Sequence, residues 1–228
     1  MQVYQNSESS DNIDLMSMIL SNKHFNSDQF ETKTFQKNKY IYLPEDKSDN
    51  IYFIKKGRVK IGSQIDFDKK FIKDILREGD FFGEHSLFGS SNQFGFATAM
   101  EETIVMTIPC DKLKILMQKN SKLYFLVIQA LGSRLIETEQ RIEAFVFKDS
   151  RSRIINFIKK FVRKNGKRVG FEVVIWKVLT HQEIANFTDT SRQTVTTVLN
   201  ELRNKNILAF SRRRLLIRDM EMLIAEVT

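Results

Sequence analysis

The sequence predicts an α+β fold in three parts, because its hydrophobic pattern changes character twice along the chain. Short apolar runs separated by turn residues occupy residues 1–108, a heptad-spaced helix dominates residues 109–147, and two short helices followed by a hairpin occupy residues 148–228. We therefore expect an N-terminal jelly-roll-like β-roll, a long dimerisation helix and a C-terminal winged helix-turn-helix.

The first part is predicted to open with a short helix over Ile13 to Leu20, after which strands take over. Runs rich in Ile, Phe, Tyr and Val, such as Ile51 to Ile54, alternate with turns such as Lys56-Gly57 and Glu78-Gly79-Asp80. Many short strands at near-regular spacing indicate a double-sheet jelly roll or barrel, and Pro109 ends it.

The second part carries a heptad seam of the kind found in two-stranded coiled coils. Its members recur at spacings of 4, 3, 4, 3, 4 and 3 residues. They are Tyr124, Ile128, Leu131, Leu135, Thr138, Ile142 and Phe145. Thr138 is the polar interruption, and a polar seam residue sets register or touches a ligand. The alternative is a long helix packed on its own domain.

The third part follows a predicted hinge at Lys148-Asp149-Ser150 and an amphipathic helix over Arg151 to Val162. Its most informative segment is Thr180 to Leu202, where apolar residues at helical spacing predict two short helices with one buried face each. Asp189 tolerates the left-handed backbone of a sharp turn, and Thr190 or Ser191 is expected to cap the second helix.

The second helix of this pair is predicted to project polar side chains away from its apolar face. These side chains are Arg192, Gln193, Thr196 and Thr197. Arginine and glutamine at the start of such a helix suit bidentate hydrogen bonds to base edges in the major groove of DNA. The alternative is an ordinary helical hairpin with a solvated polar face.

A predicted hairpin closes the chain, with strands over Ile207 to Phe210 and Leu215 to Arg218. Its turn, Ser211 to Arg214, contains Arg212, Arg213 and Arg214, which are placed to hold phosphates without specifying sequence. The alternative is a solvated basic loop.

The charge distribution favours nucleic acid as the partner of the third part. Residues 148–228 hold 17 Lys and Arg against 8 Asp and Glu, whereas residues 1–147 hold 19 against 20. A basic half joined to a nearly neutral half indicates that one domain meets a polyanion. No long basic amphipathic helix or lipidation motif points to a membrane.

Composition also excludes several classes of protein and site. No apolar run approaches the roughly 20 residues of a membrane span, and the polar start of the chain does not resemble a secretion signal, so we expect a cytoplasmic protein. Cys110 is the single cysteine, which excludes an internal disulfide and a four-thiolate cluster, and we expect it to be a small buried hydrophobe. His24, His85 and His181 are too few and too scattered for a haem or a cupin metal centre, so we expect no cofactor and no enzyme. His85 is expected to be structural, and His181 is expected to face DNA or solvent.

Two further segments carry a family resemblance. They are Gly79-Asp80-Phe81-Phe82-Gly83-Glu84 with Leu87-Phe88, and Thr180-His181-Gln182-Glu183-Ile184 running on to Ser191-Arg192-Gln193-Thr194-Val195. Together with the heptad helix between them, they make the chain resemble the Crp/Fnr family of bacterial transcription regulators over nearly its full length. The resemblance implies a homodimer that binds a palindromic site in double-stranded DNA, with RNA polymerase as a further partner.

The resemblance also implies roles for single residues of the helix-turn-helix. Arg192 matches the position that contacts a guanine in this family. The positions that contact the DNA backbone are matched by Thr180, Gln182, Ser191 and Thr194. Gln193 stands where many members carry an acidic base-contacting residue, and Thr197 where some carry another arginine, so the half-site sequence stays open.

The effector pocket departs from the cyclic-nucleotide pattern of the family. Gly83 and Glu84 match the residues that hold the ribose, and Thr138 matches the helix threonine that reaches the base. Phe94 and Gly95 stand where an arginine and a small residue clamp the cyclic phosphate, and Phe96 makes the site more apolar. An unpaired phosphate costs several kcal/mol to desolvate. We therefore expect no tight binding of cAMP or cGMP. The alternative function is a cyclic-nucleotide-binding-like module that regulates a protein partner. It predicts an intact arginine clamp and no basic winged domain, which this sequence contradicts.

Overall fold

The computed structural model describes residues 19, 30–66, 69–176, 179–211 and 214–227. It divides into two compact units, Met1–Gln64 with Lys73–Leu135, and Ile65–Ile72 with Ile136–Thr228. The predicted helix over Ile13 to Leu20 lies outside the described residues except for Ile19, which is helical and buried. The boundaries predicted after residues 108 and 147 stay predictions.

The described residues of the N-terminal half form two four-stranded sheets, in the orders β1-β8-β3-β6 and β2-β7-β4-β5. The strands are β1 Glu31–Phe35, β2 Tyr40–Tyr42, β3 Asn50–Lys56, β4 Arg58–Asp66, β5 Lys69–Arg77, β6 Phe81–Phe82, β7 Phe96–Ala99 and β8 Thr103–Pro109. This arrangement confirms the predicted double-sheet β-roll, and the predicted turns contain Gly57 and Gly79 at positive φ.

The core of the first unit has two layers, because β3 sends apolar side chains to both faces of its sheet. Ile54 joins Val59, Phe82 and Val105 in a fully buried cluster. Phe53, on the other face, joins a second cluster with residues of two helices: Leu113 and Leu116, Leu123 and Val127. Consecutive residues of a strand point to opposite faces, so the burial of both Phe53 and Ile54 shows that each face of β3 packs on another layer.

The two helices that cover the sheet are α1, Cys110–Lys119, and α2, Ser121–Phe147. Cys110 is 5% exposed, so the prediction of a small buried hydrophobe is confirmed. The 27 residues of α2 contain the whole predicted seam. Leu123 and Val127 are the buried residues of α2, and they lie on a different face of the helix from the seam.

The second unit is built from helices α3 Ser150–Asn165, α4 His181–Thr188, α5 Arg192–Asn204 and α6 Met220–Ala225. Its sheet has the order β11-β12-β10-β9, with β9 Lys167–Val169, β10 Glu172–Trp176, β11 Leu208–Phe210 and β12 Arg214–Ile217. The elements β9, β10 and α6 were not predicted from the sequence. The predicted hinge contains Asp149, whose carboxylate accepts the backbone N–H of Ser152 at 2.7 Å and caps α3.

Among the described helices, none combines the length and the apolar character that crossing a bilayer requires.

Candidate nucleic-acid interface and effector pocket

The helix-turn-helix is fixed by local capping at three points. Thr180 and Glu183 form a reciprocal capping box at the start of α4, with the Glu183 carboxylate accepting the Thr180 backbone N–H at 2.9 Å. Asp189 ends α4 at a φ of 50°, which confirms the predicted left-handed turn. Ser191 is the N-cap of α5, since its hydroxyl accepts the backbone N–H of Thr194 at 2.9 Å.

The buried face of the pair is the one that the apolar spacing predicts. Its members are Ile184, Ala185, Val195, Val198, Leu199 and Leu202, all of them buried. Arg192, Gln193 and Thr197 lie on the other side of α5 and are exposed. Since α5 begins at Arg192, the arginine and the glutamine occupy its first turn, where a recognition helix reaches base edges.

Several hydroxyl groups expected at the DNA backbone are engaged within the protein. The hydroxyls of Ser191 and Thr194 lie 2.8 Å apart, and the Thr180 hydroxyl lies 3.1 Å from a Glu183 carboxylate oxygen. Gln182 is exposed, and its side-chain amide donates to the Asn186 side chain at 2.8 Å. A DNA phosphate only accepts hydrogen bonds, so it would compete with these partners for the hydroxyl hydrogens and would bond to the remaining N–H of the Gln182 amide.

His181 was expected to face DNA or solvent; it is half-buried, and its ring packs between the recognition helix and a wing strand. Its Nδ1 lies 2.8 Å from the Thr196 hydroxyl, and its ring meets Phe210 edge-on at 5.6 Å. Thr196 donates its one hydroxyl hydrogen to the Arg192 carbonyl at 2.9 Å, so His181 Nδ1 must carry the proton of this bond. Burial, and then the charge of Arg192, lower the pKa of His181, which favours the neutral ring. Thr196 is half-buried and its hydroxyl is bonded to His181, so it is less available to DNA than the exposed Thr197.

The wing is an antiparallel hairpin of β11 and β12, in which Leu208 pairs with Ile217 and Phe210 with Leu215. Arg214 was predicted in the turn, but it is the first residue of β12 and pairs with Trp176 of β10. The sequence pattern could not show this pairing, since β10 was not predicted. Arg212 and Arg213 lie outside the described residues.

The predicted effector pocket is built around a partly buried ion pair that was not predicted from the sequence. Gly83 adopts a φ of 84°, and a Cβ there would lie 2.8 Å from the Asn50 carbonyl oxygen, so the position requires glycine. Glu84 begins a short 3-10 helix, Glu84–Phe88, and its carboxylate lies 3.1 Å from Arg134 Nη1. Arg134 also donates to the Phe81 carbonyl and lies over the Phe81 ring at 4.8 Å. Arg134 could have been identified from its position seven residues after Val127, which places it on the face of α2 that packs on the sheet.

The residues at the missing phosphate clamp differ in their exposure and in the space around them. Phe94 is 65% exposed and packs edge-on against His85 at 5.4 Å, whereas Phe96 is buried. Gly95 approaches the opposite strand so closely that a Cβ would lie 2.1 Å from the Gly62 carbonyl oxygen. A side chain at residue 95 would therefore force the backbone apart, so a serine cannot simply restore the clamp.

The remaining cavity is small, and one of its lining side chains, Lys73, is a cation. The cavity volume is about 20 Å³, which is room for about one water molecule. The lining residues are Tyr42, Ile61, Gly62, Lys73, Glu84, His85, Gln93, Phe94, Gly95 and Phe96. Lys73 was not predicted, because it lies on β5, outside the segments that match the family pattern. In the described parts of the chain, no group of three or more His, Cys, Asp and Glu side chains is placed to hold a metal ion.

Most residues of the α2 seam form an apolar stripe that the described part of the chain leaves exposed. Tyr124, Ile128, Leu135 and Ile142 are 47–60% exposed. Leu131 and Phe145 are half-buried, and Thr138 is exposed. Phe125 and Val146, each one residue past a seam position, are 68% and 67% exposed and widen the stripe. An apolar surface of this extent marks an interaction site.

Two family models match the chain, and together they span both units. A model described as a cyclic nucleotide-binding domain matches residues 32–120, and one described as a Crp-like helix-turn-helix domain matches residues 152–226.

Similar proteins cover most of the chain. The "Global nitrogen regulator" of Nostoc sp. is 29% identical over 187 residues, which is 81% of this chain and 84% of the relative. A "CRP-like cAMP-activated global transcriptional regulator" of Mycobacterium tuberculosis is 24% identical over 195 residues, 86% of this chain and 87% of the relative. Among solved structures, a CooA mutant from Carboxydothermus hydrogenoformans has a TM-score of 0.82 at 25% identity and covers 94% of this chain and 96% of its own. FixK2 from Bradyrhizobium japonicum, at 18% identity and a TM-score of 0.77, covers 87% of this chain and 98% of its own, and shows the likeness of fold.

Proposed function

The chain belongs to the Crp/Fnr family of DNA-binding transcription regulators, and on this premise we propose that it acts as a homodimer on a palindromic DNA site, without control by cAMP. One observation carries the DNA-binding part of the proposal. The first turn of α5 presents Arg192 and Gln193 to solvent, while Val195 and Val198 anchor the helix in the core. This geometry suits insertion of α5 into the major groove.

The exposed stripe on α2 supports the homodimer. Burying apolar surface stabilises an interface by about 25 cal/mol per Å², and a heptad seam buries it best against a second copy of the same seam. Two-fold pairing of α2 presents two recognition helices related by the same symmetry. The proposed operator is therefore palindromic, with half-sites about 34–36 Å apart.

Selection of binding sequences from random double-stranded DNA tests this proposal. We expect an inverted repeat, protected as two half-sites about one helical turn apart, and a complex of two chains per duplex. Selected sequences without two-fold symmetry, or a complex with one chain, would contradict the dimeric model. RNA polymerase, as a partner, and a cytoplasmic location belong to the same proposal, because a regulator of transcription acts where the polymerase works.

The lack of control by cAMP is supported by the geometry of the pocket. The cavity beside Glu84 has a volume of about 20 Å³, which is room for about one water molecule and not for a nucleotide. Phe94 points its ring outward, and the Glu84 carboxylate is paired with Arg134. A nucleotide would have to open the cavity and break or share this ion pair, with Lys73 as the cation among the lining residues for its phosphate.

Adding millimolar cAMP to the purified protein is expected to leave both the melting temperature and the DNA affinity unchanged. A ligand that binds the native state raises its melting temperature, so an unchanged melting temperature indicates that cAMP does not bind. Differential scanning fluorimetry and a gel shift measure the two quantities. Lys73→Met is the control, since Lys73 is a cation that lines the cavity. Micromolar binding in calorimetry that Lys73→Met abolishes would overturn this expectation and identify the phosphate partner.

Neutralising the wing with Arg212→Gln, Arg213→Gln and Arg214→Gln is expected to weaken binding to all DNA sequences alike. For every phosphate that the wing no longer neutralises, the dependence of log K on log salt should flatten by roughly 0.9. Titrations of specific and random DNA at several salt concentrations measure both effects. Arg168→Gln, on β9, is the matched control for the loss of an exposed charge. A loss of affinity confined to one sequence would instead show that the wing contacts bases.

A further inference from the structure

The C-terminal end of α4 is held by two arginines that the proposed DNA contacts do not include. The last carbonyl groups of a helix lack partners within it. Arg141 donates to the Phe187 carbonyl, and Arg153 donates through Nε to the Thr188 carbonyl at 3.1 Å and through Nη2 to the Asp189 carbonyl at 3.0 Å. Two guanidinium groups thus cover the three carbonyls that lead into the turn of the helix-turn-helix, where positive charge also complements the helix dipole.

The same arginines tie this helix end to the C-terminal end of α2. Arg141 itself lies on α2, one turn before Phe145. Arg153 donates through Nη1 to the Lys148 carbonyl at 3.2 Å, directly after α2 ends, and its guanidinium lies 5.3 Å from the centre of the Phe145 ring. Each arginine therefore contacts both α4 and the end of α2 within the second unit.

Aromatic rings fix the orientation of the Arg141 guanidinium. Its central carbon lies 4.1 Å from the centre of the Phe187 ring, 4.4 Å from that of Phe71 and 5.6 Å from that of Phe145. Phe187 in turn packs on Phe157 of α3 at 4.5 Å. A planar guanidinium stacks on rings while its N–H groups donate in the plane, which a lysine ammonium cannot do.

We propose that Arg141 and Arg153 are positioning residues that fix the helix-turn-helix on the end of the dimer helix and thereby set the distance between the two recognition helices. This inference rests on the proposed homodimer. In such a dimer, binding of the second half-site profits from a high effective concentration only where geometry allows both helices to engage at once. The two arginines would thus control operator affinity and the preferred half-site spacing.

The test compares Arg141→Ala and Arg153→Ala with the wild type on three DNA duplexes: the selected palindrome, the same palindrome with one added central base pair, and an isolated half-site. We expect the variants to stay dimeric in sedimentation. They should lose about tenfold or more in palindrome affinity, discriminate less between the two spacings and bind the half-site within about twofold of wild type. Arg141→Lys should behave like Arg141→Ala, because lysine keeps the positive charge but lacks the planar set of guanidinium N–H donors.

Arg151→Ala is the matched control, since Arg151 also lies on α3 but pairs with Glu201 and Glu226 instead of the α4 carbonyls. It should leave the spacing preference unchanged. If Arg141→Ala melts at a lower temperature, Arg141→Gln, which keeps side-chain N–H donors, serves for the same comparison. Unchanged spacing discrimination, an equal loss of affinity for the half-site or full rescue by lysine would each overturn the positioning role. A wild-type protein that selects no two-fold site would overturn the proposed function instead.

Discussion

Replacing Leu135 and Ile142 together with aspartate is expected to convert the proposed dimer into monomers. The two side chains are 60% and 57% exposed in the single chain, so the substitutions leave the chain's own core intact. In a paired seam each carboxylate would face its symmetry mate in a desolvated interface, where an uncompensated charge costs several kcal/mol. Sedimentation of the double variant measures the change.

Operator affinity should fall with the dimer. Joining two half-site contacts raises affinity by about 10²–10⁴, and a monomer loses this gain. Gln129→Asp with Ser133→Asp is the matched control, because both residues are exposed on α2 outside the seam. This control should remain dimeric and bind normally. A Leu135 and Ile142 double variant that still sediments as a dimer would show that α2 is not the interface.

Replacing Arg192 with alanine is expected to cost about 1–3 kcal/mol per half-site and to relax the base preference at one position of each half-site. The reason is geometric, since Arg192 is exposed at the first position of α5 and a guanidinium there can form two hydrogen bonds to a guanine. Competitive gel shifts with every base at each position of the selected site measure both effects.

Arg192→Lys separates base contact from charge. Lysine keeps the positive charge but not the planar fork, so it should retain non-specific affinity while losing most of the preference at that position. Equal affinity and an unchanged preference for Arg192→Ala would show that another residue of α5, such as Gln193, carries the specificity.

The effector pocket shows where sequence patterns stop being informative. The cassette at Gly83 and Glu84 was found because its residues are consecutive, and the missing arginine was found because Phe94 stands in its place. The pattern gave no sign that Glu84 pairs with Arg134, that Lys73 lines the cavity or that Phe94 turns outward. These facts depend on how α2 and β5 pack beside the cassette.

The helix-turn-helix shows the same difference between features that the sequence predicts and contacts that depend on packing. The apolar spacing and the turn at Asp189 were predicted correctly, because both follow from side chains close together in sequence. The partners of His181 were not predicted, since Thr196 and Phe210 come from the recognition helix and the wing. The strand β10 was missed, and with it the place of Arg214 in the sheet.

The sequence by itself determined the order of β-roll, heptad helix and helix-turn-helix, the buried faces and the polar face of α5. The spacing of apolar residues and the capping of helices depend on residues close together in sequence, so the sequence pattern is sufficient to predict them. Only the tertiary structure decided the bond between Arg141 and Phe187, 46 residues apart, and the bond between His181 and Thr196, 15 residues apart. Such contacts form when separate elements pack, because the free energy of burial and the demand for paired polar groups select partners by position in space and not by distance along the chain.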